Sequence, residues 1–179
     1  MTNPKREARL VLLAQSGDRD ALESVLRGVQ TDLLRYITGI VGSSGAEDVL
    51  QDVFLIVWRK LKWLRDPELF HPWVWRIASR ASFKFLKRER RWSSGTWNPD
   101  GETVLVDELP TRPAITPEFF SGLPAILEKI SPASRAVLLL HYVQDLSIEE
   151  TAAILDINIG TAKSRLAYGL TCLRKSMER

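Results

Sequence analysis

Apolar residues recur at spacings of three and four along most of the chain, which is the periodicity of helices that bury one face. In the first half, this pattern predicts helices over about residues 5–16, 19–40, 46–64 and 73–92. In the last third, it predicts helices near 117–130 and 132–143, followed by two more that begin after Ser147. Glycines at 17, 39, 42 and 45 are expected to end or interrupt the first helices. The sequence therefore predicts an all-α fold.

Residues 147–174 have the pattern of two helices joined by a tight turn. Ser147 and Glu150 fit a capping box, which would start the first helix. Asp156 occupies the turn, where a positive φ is often needed, and Asn158 is placed to cap the second helix. That helix has an apolar stripe of Ile159, Ala162, Leu166, Leu170 and Leu173. Its opposite face carries Thr161, Ser164, Arg165, Tyr168, Thr171 and Lys175.

These features predict a helix-turn-helix, a motif whose second helix enters the major groove of DNA and contacts base edges with its N-terminal turns. The alternative is an ordinary helical hairpin whose polar face is solvated. Hairpins of this length are common, so the segment by itself leaves both interpretations open.

The predicted helix over 46–64 has an unusual outward face. A second capping box, Ser44 with Glu47, would start this helix. The outward positions are Asp48, Gln51, Asp52, Leu55, Trp58, Arg59 and Lys62. An exposed apolar group with a polar rim is typical of a surface that docks another protein. Single exposed apolar residues are also normal, so the pattern does not exclude an ordinary surface.

The predicted helix over 73–92, with Pro72 at its start, carries a stripe of cations. The stripe spans roughly 80° of the helix and consists of Arg76, Arg80, Lys84, Lys87 and Arg91. Like charges at these spacings repel one another, and phosphate groups would offset that cost. Phe83 lies beside the stripe, where it would either stack on an unpaired base or pack against the preceding loop. We call this set of cations the basic stripe.

Residues 93–120 differ in composition from the rest of the chain. They hold four prolines and five acidic residues against one basic residue, Arg112. Such a stretch cannot form a long helix, so we expect an acidic linker between two small helical domains. The expected domains are 1–92 and 121–179, the second containing the helix-turn-helix.

Composition excludes several classes of function. The net charge is only +3, and the one cysteine, Cys172, permits no internal disulfide and fits a reducing compartment. No apolar run is long enough to span a membrane and no signal peptide is evident, so we expect a cytoplasmic protein. His71 and His141 have no companions at metal-ligand spacing. We therefore expect no metal, no cofactor and no enzymatic activity.

Three segments resemble the extracytoplasmic-function (ECF) group of the sigma-70 family, the promoter-specificity subunits of bacterial RNA polymerase. The first is LSIEETAAIL at 146–155 with GTAKSRL at 160–166. The second is AEDVLQDVF at 46–54, and the third is FHPWVWRIA at 70–78. Their order and spacing match the family over both expected domains and leave the linker out.

The resemblance implies a role for each of the surfaces described above. Core polymerase would be bound by Asp48, Gln51, Asp52 and Leu55. The promoter minus-ten element would be melted and bound by Arg76, Arg80, Phe83, Lys84, Lys87 and Arg91, with an unpaired base held by the loop 65–72. The minus-thirty-five element would be bound by Thr161, Lys163, Ser164, Arg165, Tyr168 and Lys175.

The resemblance also implies partners and an assembly state. The acidic linker would occupy the RNA-exit region of the polymerase, and an anti-sigma factor would clamp between the two domains. We expect a monomer when the chain is free of partners. Four positions depart from the family's pattern: Arg80, Lys84, Tyr168 and Leu170. These departures put the promoter sequence that the protein prefers in doubt.

Two other functions compete with this interpretation. A stand-alone helix-turn-helix regulator that binds duplex DNA as a dimer would not need the Asp48–Leu55 face. A helical nuclease would need a metal cluster or a nucleophile with its base, and the sequence contains no such constellation.

Overall fold

The computed structural model describes residues 4–92, 127 and 129–177, and these residues contain helices and turns but no β-strand. The all-α prediction is therefore confirmed for this part of the chain. The expected linker, 93–120, and most of the helix predicted near 117–130 lie outside the described residues. The helices are α1 (Pro4–Gln15), α2 (Arg19–Val41), α3 (Ser43–Lys60), α4 (Phe70–Trp92), α5 (Pro132–Leu138), α6 (Ile148–Leu155) and α7 (Ile159–Met177).

Helix α2 is the centre of the N-terminal part, with α1, α3 and α4 packed around it. It starts where the sequence predicts, because the carboxylate of Asp18 accepts a hydrogen bond from the backbone N–H of Ala21 at 3.0 Å. Its inward face buries Val25, Val29, Leu33, Tyr36, Ile37 and Ile40. Burial of this continuous apolar face is the main term that holds the helices together.

Tyr36 fixes α4 against α2 through a buried polar contact. Its ring meets Trp75 edge-on with the centroids 5.2 Å apart, and its hydroxyl lies 2.6 Å from Ser79 Oγ. Ser79 donates its own proton to the carbonyl of Trp75, so Tyr36 is the donor in the pair. Burial raises the pKa of Tyr36 above its ordinary value, which keeps the phenol protonated and able to donate.

Gly42 alone makes the corner between α2 and α3. Its φ of 86° lies in the region that favours glycine, and it is followed at once by α3. The predicted capping box of Ser44 and Glu47 is therefore wrong: α3 begins at Ser43 and its cap makes no side-chain hydrogen bond. Gly39 and Gly45 lie inside helices rather than in the turn. Glycine fits at both positions because other side chains pack closely against the backbone there.

Substitution of Gly45 should destabilise the fold. A Cβ added at Gly45 would lie 2.3 Å from Cζ of Phe85, which packs α4 against the start of α3. We expect Gly45→Val to lower the free energy of unfolding by about 1–3 kcal/mol through overpacking. Urea unfolding measures the loss. Gly28→Val is the matched control, since a Cβ at Gly28 meets nothing within 4 Å. An equal loss in the two variants would contradict the overpacking.

The connection between α3 and α4 differs from the prediction at both ends. Helix α3 ends at Lys60 and is followed by a 3₁₀ turn at Leu61–Trp63. The side-chain amide of Gln15 donates hydrogen bonds to the backbone carbonyls of Leu61 and Leu64. Helix α4 begins at Phe70, three residues before the predicted start. Phe70 is buried, and Pro72 falls in the first turn, where its missing N–H has no helical partner to lose.

The C-terminal part is built from α5, α6 and α7. As predicted, Ser131 caps α5 with Pro132 in first position, and the chain continues through a π-helical turn at Leu139–Val143. Helix α5 lies close to α7 at Gly169, where an added Cβ would be 2.5 Å from Leu138 Cδ1. Ile159, the first residue of α7, was expected on the buried stripe but is 45% exposed.

The two parts pack against each other in this structure. Leu139 lies over Gly39, and Arg135 donates to the carbonyl of Ile40 at the end of α2 at 3.1 Å. Helix α4 lies against α6. The buried apolar side chains form one continuous cluster that runs through both parts. The division into domains 1–92 and 121–179 stays a prediction.

Candidate nucleic-acid interface

The outward face of α3 is formed as predicted. Asp48, Gln51 and Asp52 are exposed, while Val49, Val53 and Val57 on the other side are buried. Leu55 is 43% exposed and Trp58 is 62% exposed, next to these polar residues. The structure therefore presents an apolar centre with an acidic and amide rim, which is the composition of a protein-docking surface.

The segment between α3 and α4 adds exposed apolar groups that the sequence analysis did not identify. Trp63 is 65% exposed, with Lys62 Nζ 4.4 Å above its ring, and Leu69 is also exposed. Both residues lie between helices, where apolar residues do not recur at helical spacing. The sequence pattern therefore could not predict that these two side chains are exposed. The predicted base-holding loop, 65–72, contains a 3₁₀ turn at Pro67–Leu69 that is capped by Asp66.

The basic stripe lies along one side of α4, as predicted. Arg80, Lys84 and Lys87 are exposed and Arg76 is half-buried. The side chain of Arg91 lies outside the described residues. Ser79 and Trp75, on the buried side, hold the helix through Tyr36, so the cations are directed away from α2. Phe83 is half-buried and packs against the apolar core, and its expected contact with a base or with the preceding loop stays a prediction.

The helix-turn-helix forms with the predicted local geometry. Ser147 and Glu150 make both bonds of the capping box, at 2.8 Å from Ser147 N to Glu150 Oε2 and 3.1 Å from Glu150 N to Ser147 Oγ. Asp156 ends α6 with φ 59° and ψ 47°, the left-handed conformation that the turn requires. Helix α7 starts at Ile159, and the backbone carbonyl of Asn158 accepts from the N–H of Ala162 at 3.0 Å, while the side-chain cap expected from Asn158 stays a prediction.

Stability should depend on pH through Glu150. The hydrogen bonds from the Ser147 N–H and then from its hydroxyl lower the pKa of Glu150 below its ordinary value of 4.5. The stabilisation is therefore complete above that value and is lost as pH falls through the lower, folded-state pKa. Glu150→Gln keeps the shape but cannot titrate. We expect the advantage of the wild type over this variant, measured by urea unfolding, to shrink between neutral and acidic pH. A constant difference would contradict this.

The α7 residues predicted to bind the minus-thirty-five element, with Lys163 and Lys175 expected nearer phosphate than the bases, divide into two groups. Thr161, Lys163, Arg165 and Tyr168 are half-exposed and Lys175 is exposed. Ser164 is a correction to the expected outward position, since it is only 5% exposed and its hydroxyl donates to the carbonyl of Gly160 at 2.9 Å. A short hydroxyl side chain can be buried on a helix because its own backbone satisfies it.

The structure brings the two candidate DNA-binding surfaces together, which the sequence analysis did not foresee. The guanidinium of Arg76 donates to the carbonyl of Ala153 in α6. Arg80 Nη2 lies 3.3 Å from Asp156 Oδ2, at the turn between α6 and α7. These contacts join residues 76 or 77 positions apart, so no local pattern could indicate them.

A membrane-spanning helix and a metal-binding cluster are both absent from the described residues. None of their helices combines the length and apolar character that crossing a membrane requires. Among the same residues, no group of three or more histidine, cysteine, aspartate and glutamate side chains could hold a metal ion.

Two sequence models of one family match the chain, in the order of the two surfaces. "Sigma-70 region 2" matches residues 25–92, which include α3 and the basic stripe. "Sigma-70, region 4" matches residues 122–173, which include the helix-turn-helix. Together they cover more than half of the chain.

Curated relatives align over nearly their full lengths. RNA polymerase sigma-H factor of Pseudomonas aeruginosa is 25% identical, over 99% of this chain and 97% of the relative. ECF RNA polymerase sigma factor SigW of Bacillus subtilis is 23% identical, over 91% and 92%. ECF RNA polymerase sigma-E factor of Escherichia coli K12 is 24% identical, over 88% and 86%.

Solved structures share the fold. CnrH in complex with the cytosolic domain of CnrY gives a TM-score of 0.68 at 19% identity, over 96% of this chain and 97% of that one. The sigma factor RpoE in complex with the anti-sigma factor NepR, from Bartonella quintana, gives 0.63 at 21% identity, over 85% and 95%. With both family regions present in order, and with full-length ECF relatives, this chain belongs to the ECF group of the sigma-70 family.

Proposed function

We propose that this protein is an alternative sigma factor of the ECF type, which binds core RNA polymerase, recognises two promoter elements and initiates transcription. The observation that carries the proposal is the presence of three surfaces in one chain, in the order of the family. They are the exposed α3 face, the basic stripe and the helix-turn-helix, and the matches to regions 2 and 4 span them. Residues 1–92 and 121–179 would be the two working domains, joined by 93–120.

Each surface would have its own partner. The α3 face, with Asp48, Gln51, Asp52 and Leu55, would bind the polymerase, because its apolar centre and acidic rim are exposed together. The basic stripe would follow the phosphates of the minus-ten element, and α7 would enter the major groove at the minus-thirty-five element. Ser164 would act there only if α7 were uncovered, since its hydroxyl is buried in this structure.

Opening of the duplex needs no chemical step. It would be driven by the capture of unstacked bases and backbone charge, so the protein would act as a binding factor and not as an enzyme. It would work in the cytoplasm, where bacterial transcription takes place. An anti-sigma factor would control it, a proposal supported by RpoE, which was solved with its anti-sigma factor NepR.

Run-off transcription tests the proposal. Core polymerase would be assayed with and without this protein on DNA from upstream of its own gene. A new start site that depends on the protein supports the proposal. No transcript, together with a salt-sensitive complex on the same duplex in the absence of polymerase, would indicate a stand-alone regulator instead.

A further inference from the structure

Helix α1 contacts both ends of the connection between α3 and α4, which contains the predicted base-holding loop, 65–72. It packs against the two 3₁₀ turns of that connection, Leu61–Trp63 and Pro67–Leu69. The backbone hydrogen bonds of these turns are local, since each joins residues three positions apart. They shape the turns but do not by themselves fix where the loop lies. The position of the loop on the protein therefore depends on contacts with other elements.

Gln15 holds the first turn with both protons of its side-chain amide. Nε2 donates to the carbonyl of Leu61 at 2.9 Å and to the carbonyl of Leu64 at 2.7 Å. Both carbonyls lie just beyond α3, where backbone groups lack helical partners. Glutamate has the same shape but no donor, and asparagine is one methylene shorter, so the contact is specific to glutamine.

Glu7 holds the other end of the loop through His71, in the first turn of α4. Its Oε1 lies 2.8 Å from Nε2 of His71, and its side chain is only 14% exposed. The neighbouring Phe70 is buried in the core and anchors the start of α4. Between the two contacts of α1, Trp63 and Leu69 remain exposed. The connection thus presents apolar groups outward while both of its ends are held.

We propose that Gln15 and Glu7 are positioning residues, which hold the loop 65–72 in the conformation that receives an unpaired base. The inference rests on the proposed function, which gives the loop a base to hold. It adds a role for α1, which precedes the residues that match region 2. A loop that is already ordered loses less conformational entropy on binding, so the two contacts would raise the affinity for opened DNA.

The test uses the polymerase holoenzyme and a premelted promoter. The promoter is the one that run-off transcription maps upstream of the protein's own gene. Its minus-ten segment is made non-complementary, and the DNA carries fluorescein, so that anisotropy gives the affinity. Gln15→Met removes both donors and keeps the length and the helix propensity of the side chain. Gln30→Met is the matched control, because Gln30 is exposed on α2.

Gln15→Met should weaken binding of the premelted promoter, and Gln30→Met should not. One hydrogen bond corresponds to about a fivefold change in an equilibrium constant, so the loss of two sets an upper limit of about thirtyfold. We expect a loss of between about threefold and about thirtyfold.

Abasic sites distinguish positioning of the loop from a general loss of stability. One abasic site is placed at each unpaired position of the promoter in turn. At the position of the held base, the difference between wild type and Gln15→Met should disappear, because there is no base for the loop to receive. Equal affinity of the two proteins for the intact probe, or a loss that is the same on every abasic probe, would overturn the proposal.

Glu7 supplies a second test if Gln15→Met does not fold. Glu7→Gln keeps an oxygen that can accept a hydrogen bond from His71, whereas Glu7→Leu has none. Both variants remove the same charge, so a difference between them does not come from attraction of DNA. We expect Glu7→Leu to bind the premelted promoter about fivefold more weakly than Glu7→Gln. Equal binding by the two variants would overturn the proposal.

Amide hydrogen exchange of the free protein separates failure of this proposal from failure of the proposed function. The N–H of Leu64 donates to the carbonyl of Leu61 at 3.0 Å, and Gln15→Met should speed its exchange by about fivefold to thirtyfold. Unchanged exchange would overturn the proposal. A wild type that gives no transcript would refute the sigma function and the capture of a base with it, while the exchange rate would still decide whether Gln15 orders the turn. A wild type that transcribes, beside a Gln15→Met protein that binds every probe equally well, would refute the positioning role alone.

Discussion

Core polymerase supplied with the Asp52→Arg protein should give almost no run-off transcript from a promoter that the wild type serves. Asp52 is exposed on α3 between Asp48 and Leu55, at the centre of the proposed polymerase-binding face. Reversing a charge at the centre of an interface places like charges together and costs several kcal/mol, and a cost of about 3 kcal/mol lowers affinity more than 100-fold.

The control is the same reversal on another helix. Asp32 is exposed on α2, where it pairs with Arg35, and lies outside every proposed binding surface. Asp32→Arg should transcribe like the wild type, and both variants should keep the wild-type melting temperature. Normal transcription with Asp52→Arg would show that the α3 face does not bind polymerase. It would favour a regulator that acts on DNA alone.

Removing two cations from the basic stripe should weaken the promoter complex and reduce its dependence on salt. Lys84 and Lys87 are exposed in the part of α4 beyond the contacts of Arg76 and Arg80 with α6, so their loss leaves those contacts in place. Each phosphate contact contributes about 0.7 to 0.9 to the slope of log K against log salt. Lys84→Ala with Lys87→Ala should therefore reduce that slope by about 1.5.

The measurement is equilibrium binding of the polymerase holoenzyme to promoter DNA over a series of salt concentrations. Arg19→Ala with Arg35→Ala removes the same total charge from α2, which carries no proposed DNA contact. That variant should keep the wild-type slope. Equal slopes in all three proteins would mean that the basic stripe faces solvent in the complex and does not follow the phosphates.

The features that the sequence predicted correctly depend on groups that are close together along the chain. The caps at Asp18, Ser131 and Ser147 were predictable because the donor and acceptor lie within three residues of each other. The left-handed conformation of Asp156 was also predictable from neighbouring residues, because it lies in the tight turn between two helices. The exposed face of α3 and the direction of Lys84 and Lys87 in the basic stripe needed only the 3.6-residue period, because these side chains are exposed.

Local hydrogen bonding and tertiary contacts together explain the errors. The expected cap at Ser44 did not form because Gly42 turns the chain in one residue and α3 starts before a cap can act. Helix α4 starts early because Phe70 is buried in the core. Ser164 points inward because the Gly160 carbonyl satisfies its hydroxyl. The contacts of Arg76 and Arg80 with α6 depend on pairing between distant parts of the chain, which periodicity does not encode.

The buried hydroxyl of Tyr36 has a consequence for how such a protein can change its promoter preference. Because Tyr36, Ser79 and Trp75 fix the rotation of α4 about its own axis, a slip of one residue would turn the helix by about 100° and break the contact. The orientation of the side proposed to face DNA is therefore set from inside the protein. If this side binds DNA as proposed, the outward positions of α4, including Arg80 and Lys84, can be exchanged through evolution while the angle at which they meet DNA stays constant.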